Sequence, residues 1–90
     1  MDIVWDSAKV RSNYARHGIR FSEVEQVFYD PSALTVEDTS SSQEQRFVTL
    51  GRDGQVRILV VVYTYRGETI RVISARRASS GEVESYEEGV

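Results

Sequence analysis

The stretch Val56–Tyr65 constrains this chain more than any other. It reads Val-Arg-Ile-Leu-Val-Val-Val-Tyr-Thr-Tyr, apolar and rich in valine. Such a run reads as a central strand covered on both faces. A central strand needs neighbours on each side. Arg66-Gly67-Glu68 turns the chain back, and Thr69–Arg77 supplies the returning strand. Upstream, Arg46–Gly51 is a strand that runs into an Asp53-Gly54 turn signal. Ala33–Glu37 alternates with period two and supplies one more. Between those two, residues 38–43 carry four Ser or Thr in six positions and form a polar loop. Short turns join all four strands, so they form an antiparallel meander.

The first thirty residues follow a different period. Ile3-Val4-Trp5 is a short strand, with Trp5 expected in the core. Asp6 or Ser7 supplies an N-cap, Ala8–His17 is a helix, and Gly18 ends it. Val10, Tyr14 and His17 share one face of that helix. Ser22 and Glu25 form a capping box for a second helix carrying Val24, Val27 and Phe28. Asp30-Pro31 stops it, because the residue before proline is pushed out of the α region. A second capping box, Ser79 with Glu82, starts a terminal helix over residues 80–87. The expected fold is α+β, one domain over residues 1–90. An N-terminal strand and two helices pack on one face of a four-stranded antiparallel meander, and a short C-terminal helix follows. The other face is left free, at least in part, for function.

Composition narrows the chemistry. With no cysteine and one histidine, disulfides, thiolate metal sites and histidine clusters are excluded. No metal and no cofactor are expected. No apolar run approaches membrane-spanning length, the acidic start is unlike a signal peptide, and a cytoplasmic location is the default reading.

The net charge of −3 conceals an uneven distribution. In residues 46–77, seven arginines stand against Asp53 and Glu68, a local charge of +5. Residues 1–45 and 78–90 each carry −4. Arginine's planar fork grips phosphate or carboxylate at two points, which lysine cannot do. With Arg66-Gly67 as the turn, Arg57 faces Arg76 and Val62 faces Arg71. Like charges directly opposed in a sheet are unfavourable unless an anion sits against them. That anion is a phosphate, or a carboxylate such as Glu44, Glu82 or Glu84.

Other candidates carry two readings each. His17 is a general acid or base, or a donor to the free carbonyls of its helix end. Phe47, Tyr63 and Tyr65 stack bases or fill the core. Tyr86 is functional or pins the terminal helix to the sheet. Gly51, Gly54 and Gly67 read as turn glycines and form neither a dinucleotide fingerprint nor a P-loop.

One set of residues, taken together and in order, resembles a known family. It comprises Val4-Trp5-Asp6, the run Asn13-Tyr14-Ala15-Arg16-His17-Gly18-Ile19 with Phe21 and Glu23, Phe28 with Asp30-Pro31, Arg46-Phe47 with Gly51, and Ile73-Ser74-Ala75-Arg76-Arg77-Ala78 with Glu82 and Tyr86. The set resembles BrnT, the toxin half of BrnT/BrnA type II toxin–antitoxin systems, over nearly the whole chain. The resemblance implies a RelE-like fold and a metal-independent endoribonuclease that cleaves mRNA, at the ribosome or free, and inhibits translation. It also implies neutralisation by a BrnA-type ribbon-helix-helix antitoxin, through which alone operator DNA is bound.

Carried onto this sequence, the resemblance matches Arg46, Arg71, Arg76 and Arg77, with Arg71 and Arg76 as phosphate-stabilising residues, Arg46 beside them in catalysis, and His17 and Tyr86 as helpers. Arg77, Arg57, Arg66 and Tyr86 are the binding residues for RNA or a partner. Two departures stand out. Arg16 replaces the family's usual lysine. Ser79–Ser85, with Glu82 and Glu84, replaces a commonly basic continuation, which removes phosphate contacts and weakens RNA affinity. The alternative function is a non-catalytic BrnT-like module that binds a protein through the same arginine face.

Overall fold

The structure is a computed structural model and describes residues 1–40 and 44–89. The expected polar loop falls partly on residues 41–43, which lie outside the described residues. Five strands form one sheet: β1 (Ile3–Val4), β2 (Leu34–Asp38), β3 (Arg46–Arg52), β4 (Ile58–Arg66) and β5 (Thr69–Arg77). Two α-helices complete the fold, α1 (Ser7–His17) and α2 (Ser80–Glu88).

The sheet order is β1-β5-β4-β3-β2. The four-strand meander is therefore present, but the sheet is larger than expected. β1 adds to the edge of β5 in parallel, with Ile3 opposite Ile70 and Val4 opposite Arg71. A parallel neighbour requires a crossover rather than a hairpin. The long path through β2, β3 and β4 supplies one, which no local signal in Ile3-Val4 announces.

α1 begins as expected. The Asp6 carboxylate accepts the Ala8 N–H at 2.8 Å, and Gly18 closes the helix at φ 71°. The second expected helix is instead two 3₁₀ turns, Phe21–Glu23 and Glu25–Tyr29. Phe21, Val24 and Val27 recur every three residues, and all three are fully buried. A 3₁₀ helix eclipses positions i and i+3, so it turns all three side chains to the same side. The capping contact also differs from the Ser22–Glu25 expectation. The Glu23 carboxylate accepts the Arg20 N–H at 2.9 Å.

One face of the sheet buries the main core. Leu59, Val61 and Tyr63 of β4 and Ile70, Val72 and Ala75 of β5 pack against Ile19, Phe21, Val24 and Val27. Gly51 lies inside β3 rather than in a turn. A Cβ there would come within 2.9 Å of Val27 Cγ1, so only glycine lets the 3₁₀ segment sit this close.

α2 takes the opposite face. It rests beside Leu34, Val48, Leu50 and Val60, with Glu82 and Ser85 facing that apolar strip. That face is thus free only in part, since its β5–β3 end is roofed by α2.

β4 starts at Ile58, two residues later than expected. Val56 is in the preceding turn at φ 64°, and is 71% exposed. The left-handed region costs a branched side chain about 1–2 kcal/mol, and exposure leaves little burial to lose. Val56→Asn, whose short polar side chain tolerates this backbone, should raise the unfolding free energy by roughly 0.5–1 kcal/mol. A urea midpoint shift at unchanged m-value checks it. No increase would mean that the turn is unstrained.

Candidate functional site

Two devices set the arginines of the sheet. The first is the hairpin register. Arg66 pairs with Thr69, so Gly67 and Glu68 are the turn residues. Val60 then faces Arg76 and Thr64 faces Arg71. The expected opposition of Arg57 to Arg76 and of Val62 to Arg71 does not occur. Arg57 precedes β4 altogether. Its guanidinium is held by buried Asp53 at 2.6 and 2.8 Å, with Glu23 at 3.6 Å. Asp53 also accepts the N–H groups of Gln55 and Arg57, so Arg57 braces the β3–β4 turn.

The second device is a bulge. The β4–β5 pairing slips between Val62 and Tyr63, where Val62 faces Ser74 and Tyr63 faces Val72. Ile73 is the extra residue. Side chains alternate along a strand, so residues five apart should point to opposite faces. The inserted residue restores parity. Arg71 and Arg76 therefore share the face that carries Val60, Val62 and α2, while Val72 and Ala75 both stay in the core.

On that face the arginines divide into two groups. Arg76 lies beneath α2 and grips Glu82 with both nitrogens of its fork, Nη1–Oε1 at 2.8 Å and Nη2–Oε2 at 2.9 Å. Glu82 also accepts the Ser79 N–H at 2.8 Å, the capping box read from the sequence. These donors hold its carboxyl down to about 2, with the Arg76 hydrogen bonds the largest cause. Arg71 stands about 16 Å further back along β5, five residues at strand rise. It is half-buried beside Thr64 and forms no ion pair among the described residues. Arg46 opens β3 at the same end of the sheet, opposite Asp38 and 3.4 Å from the Glu44 carboxylate. Arg66 is exposed at the hairpin end nearby. Arg77, next in the chain and opposite Leu59, is exposed and points to the other face of the sheet.

His17 approaches from the edge of β5. The chain leaves β1 beside Arg71 and reaches Ala75 at Asn13, so α1 advances along β5 toward Arg76 and Arg77. His17, one turn beyond Asn13, is exposed. Asn13 is the residue that fixes this approach, and its role was not read from the sequence. It is 5% exposed. Its amide donates to the carbonyls of Ala75 at 2.8 Å and Ile19 at 3.0 Å, and its oxygen accepts the Ala75 N–H at 3.0 Å. The side chain thus fills the place of a further strand beyond the short β1.

Tyr86 is buried, and its hydroxyl donates to Asp30 at 2.6 Å. The same carboxylate accepts the Arg52 N–H at 2.8 Å and the Ser32 N–H at 2.9 Å. These bonds outweigh burial and hold the Asp30 carboxyl below its ordinary value, while Asp30 pushes the Tyr86 hydroxyl up. Of its two readings, Tyr86 takes the pinning one. Tyr63 is core, Phe47 packs on it at 5.9 Å between ring centroids, and Tyr65 is exposed. Trp5, expected in the core, is 40% exposed.

The geometry amounts to an oxyanion grip at Arg76 under a helical roof, and a second basic end at Arg46 and Arg71. An apolar strip of Val36, Val48 and Val62 lies between them.

Comparison with known proteins gives the family and the fold. The family described as "Ribonuclease toxin, BrnT, of type II toxin-antitoxin system" matches residues 5–82. No curated protein sequence matches. The 1.1 Å crystal structure of the Brucella abortus ribonuclease toxin BrnT is similar, with a TM-score of 0.73 and 30% sequence identity. The match covers 89% of this chain and 99% of that one. No helix among the described residues is long and apolar enough to cross a membrane. With a match over most of its length and the same fold at 30% identity, this chain belongs to the BrnT family of ribonuclease toxins of type II toxin–antitoxin systems.

Proposed function

We propose that this protein is a metal-independent endoribonuclease of RelE-like chemistry, which cleaves mRNA in the cytoplasm and is neutralised by a BrnA-type ribbon-helix-helix antitoxin. The observation that carries the reading is the two-point grip of Arg76 on Glu82. A carboxylate there offers two oxygens as a phosphate does, so the site is shaped for an oxyanion.

In this reaction the RNA's own 2′-oxygen attacks the adjacent phosphorus. The P–O5′ bond breaks, giving a 2′,3′-cyclic phosphate and a 5′-hydroxyl end. The proton leaves the 2′-hydroxyl for a base, and another is delivered to the 5′-oxygen. Arginines aimed at the pentavalent phosphate stabilise its developing charge. Arg76 takes that role, with Arg77 and His17 at the same end of β5. Arg71, Arg46 and Arg66 hold the flanking backbone. Arg57 and Tyr86 support the fold.

The second reading, a non-catalytic module that binds a protein through this face, is favoured by one observation. Glu82 already occupies Arg76.

The test is cleavage of a defined RNA by purified protein with chelator present. Wild type should yield cyclic-phosphate ends. Arg71→Ala should lower cleavage by about tenfold or more, with an unchanged melting curve. Folded wild type that leaves RNA intact would overturn the enzyme reading. If Arg71→Ala then lost only the protein partner, the binding reading would stand.

A further inference from the structure

A groove of about 340 Å³ opens where α1 meets the first 3₁₀ turn, away from the α2 face. Trp5, Val10, Tyr14 and Phe21 line it, and Arg11 and Arg20 stand at its rim. Trp5 and Tyr14 are 40% and 43% exposed, large apolar surfaces that folding leaves in water. Trp5 meets buried Phe21 edge-on at 6.3 Å, and the Arg20 guanidinium lies 4.3 Å from the Tyr14 ring centroid.

The groove therefore presents tryptophan, tyrosine and arginine together. Those three residue types dominate the energetic centres of protein interfaces. Its charge is one-sided as well. α1 carries Lys9, Arg11 and Arg16 and no acidic residue.

We infer that this groove docks an acidic amphipathic segment of a protein partner. An apolar side chain enters between Trp5 and Tyr14, and carboxylates meet Arg11 and Arg20. The inference names a binding surface for the antitoxin and rests on the antitoxin reading only for the partner's class. RNA cleavage plays no part in it. A nucleic-acid base fits less well. Arg20 already covers the Tyr14 ring on one side, and Val10 and Phe21 offer no hydrogen bonds to a base edge.

Trp5 is the only tryptophan, so its fluorescence reports the groove alone. Three probes would be titrated into the full chain. One is a helix-forming peptide of about 18 residues with a leucine stripe at helical spacing and flanking glutamates. The second is the same peptide with lysines for glutamates. The third is an oligouridylate of about twelve nucleotides. The acidic peptide should shift Trp5 emission to the blue and saturate, more weakly at high salt. The lysine peptide should not.

Tyr14→Ala should weaken the acidic peptide roughly thirtyfold. The double change Arg11→Glu with Arg20→Glu should transfer preference to the lysine peptide. Circular dichroism and melting curves serve as fold controls, since these side chains are exposed. Equal responses to both peptides, or none, would overturn the inference. A saturating response to oligouridylate alone would make the groove a nucleic-acid site and equally overturn it. RNA cleavage by Tyr14→Ala separates the two proposals. A failed docking surface leaves cleavage at the wild-type rate, and a failed ribonuclease reading leaves peptide binding intact.

Discussion

Replacing Asn13 by leucine is expected to lower the melting temperature by roughly 20 °C. The side chain is buried and makes three hydrogen bonds, all to backbone groups. Leucine would leave the Ala75 N–H, the Ala75 carbonyl and the Ile19 carbonyl without partners. Each unsatisfied buried group costs about 1–3 kcal/mol. Even with partial relaxation the loss is about 4 kcal/mol. A chain of 90 residues has only about 5–13 kcal/mol in total.

Asn13→Asp separates hydrogen bonding from packing. It keeps the acceptor for Ala75 N–H but turns the donor into an oxygen facing two carbonyls. Its carboxyl will be pushed up, since only the protonated form can donate. A group raised in the folded state stabilises below its unfolded value and loses that contribution as pH rises through the folded one. Asn13→Asp should therefore fall furthest behind wild type at pH 7 and recover part of the gap below about pH 4. Urea unfolding at the two pH values measures this. A leucine variant melting within about 5 °C of wild type would show that the clamp contributes little.

That clamp marks how far the sequence could be read. Most strands and both α-helices were legible because their signals are local: the valine run of β4, the Asp6 cap, Gly18 and the Ser79–Glu82 box. Asn13 was visible only as part of a resemblance, because its partner Ala75 is distant in sequence. The same distance hid the parallel pairing of Ile3-Val4 with β5.

Phe21, Val24 and Val27 did carry a signal. Their strict spacing of three suits a 3₁₀ turn better than an α-helix. The bulge was harder, since no glycine marks it. The trace it leaves is the apolar doublet Val72-Ile73, where buried positions change from even to odd. Without it Arg71 and Arg76, five residues apart, would point to opposite faces. A wrong turn pair then placed Arg57 opposite Arg76, when Asp53 had already claimed Arg57. The density of arginine was legible, but its division into two ends of one face required the register.

The second large effect concerns Glu82. Glu82→Gln should raise affinity for single-stranded RNA roughly five- to tenfold at low salt. Glutamine fits the same space and still serves the capping box, so α2 keeps its N-terminus. Tyr86 continues to pin the far end of the helix to Asp30. What changes is the competition for Arg76. In wild type a phosphate must displace a carboxylate held at two points. In the variant it displaces a neutral amide. One more phosphate contact should steepen the dependence of log affinity on log salt by about 0.7.

Acid alone does not release Arg76 in wild type near neutrality, because the Glu82 carboxyl is held at about 2. That depression also affects stability. The pair contributes above the ordinary value of 4.5, and the contribution is lost as pH falls from there toward about 2. With both side chains partly open to solvent, it is worth about 1 kcal/mol at most. Glu82→Gln should lack that acid limb, standing below wild type at pH 7 by no more than this amount and level with it at low pH. Adding Arg76→Ala to Glu82→Gln must abolish the gain in RNA affinity. If Glu82→Gln leaves affinity and salt slope unchanged, Arg76 is not a phosphate contact, and the oxyanion site must move to the Arg46–Arg71 end of the sheet.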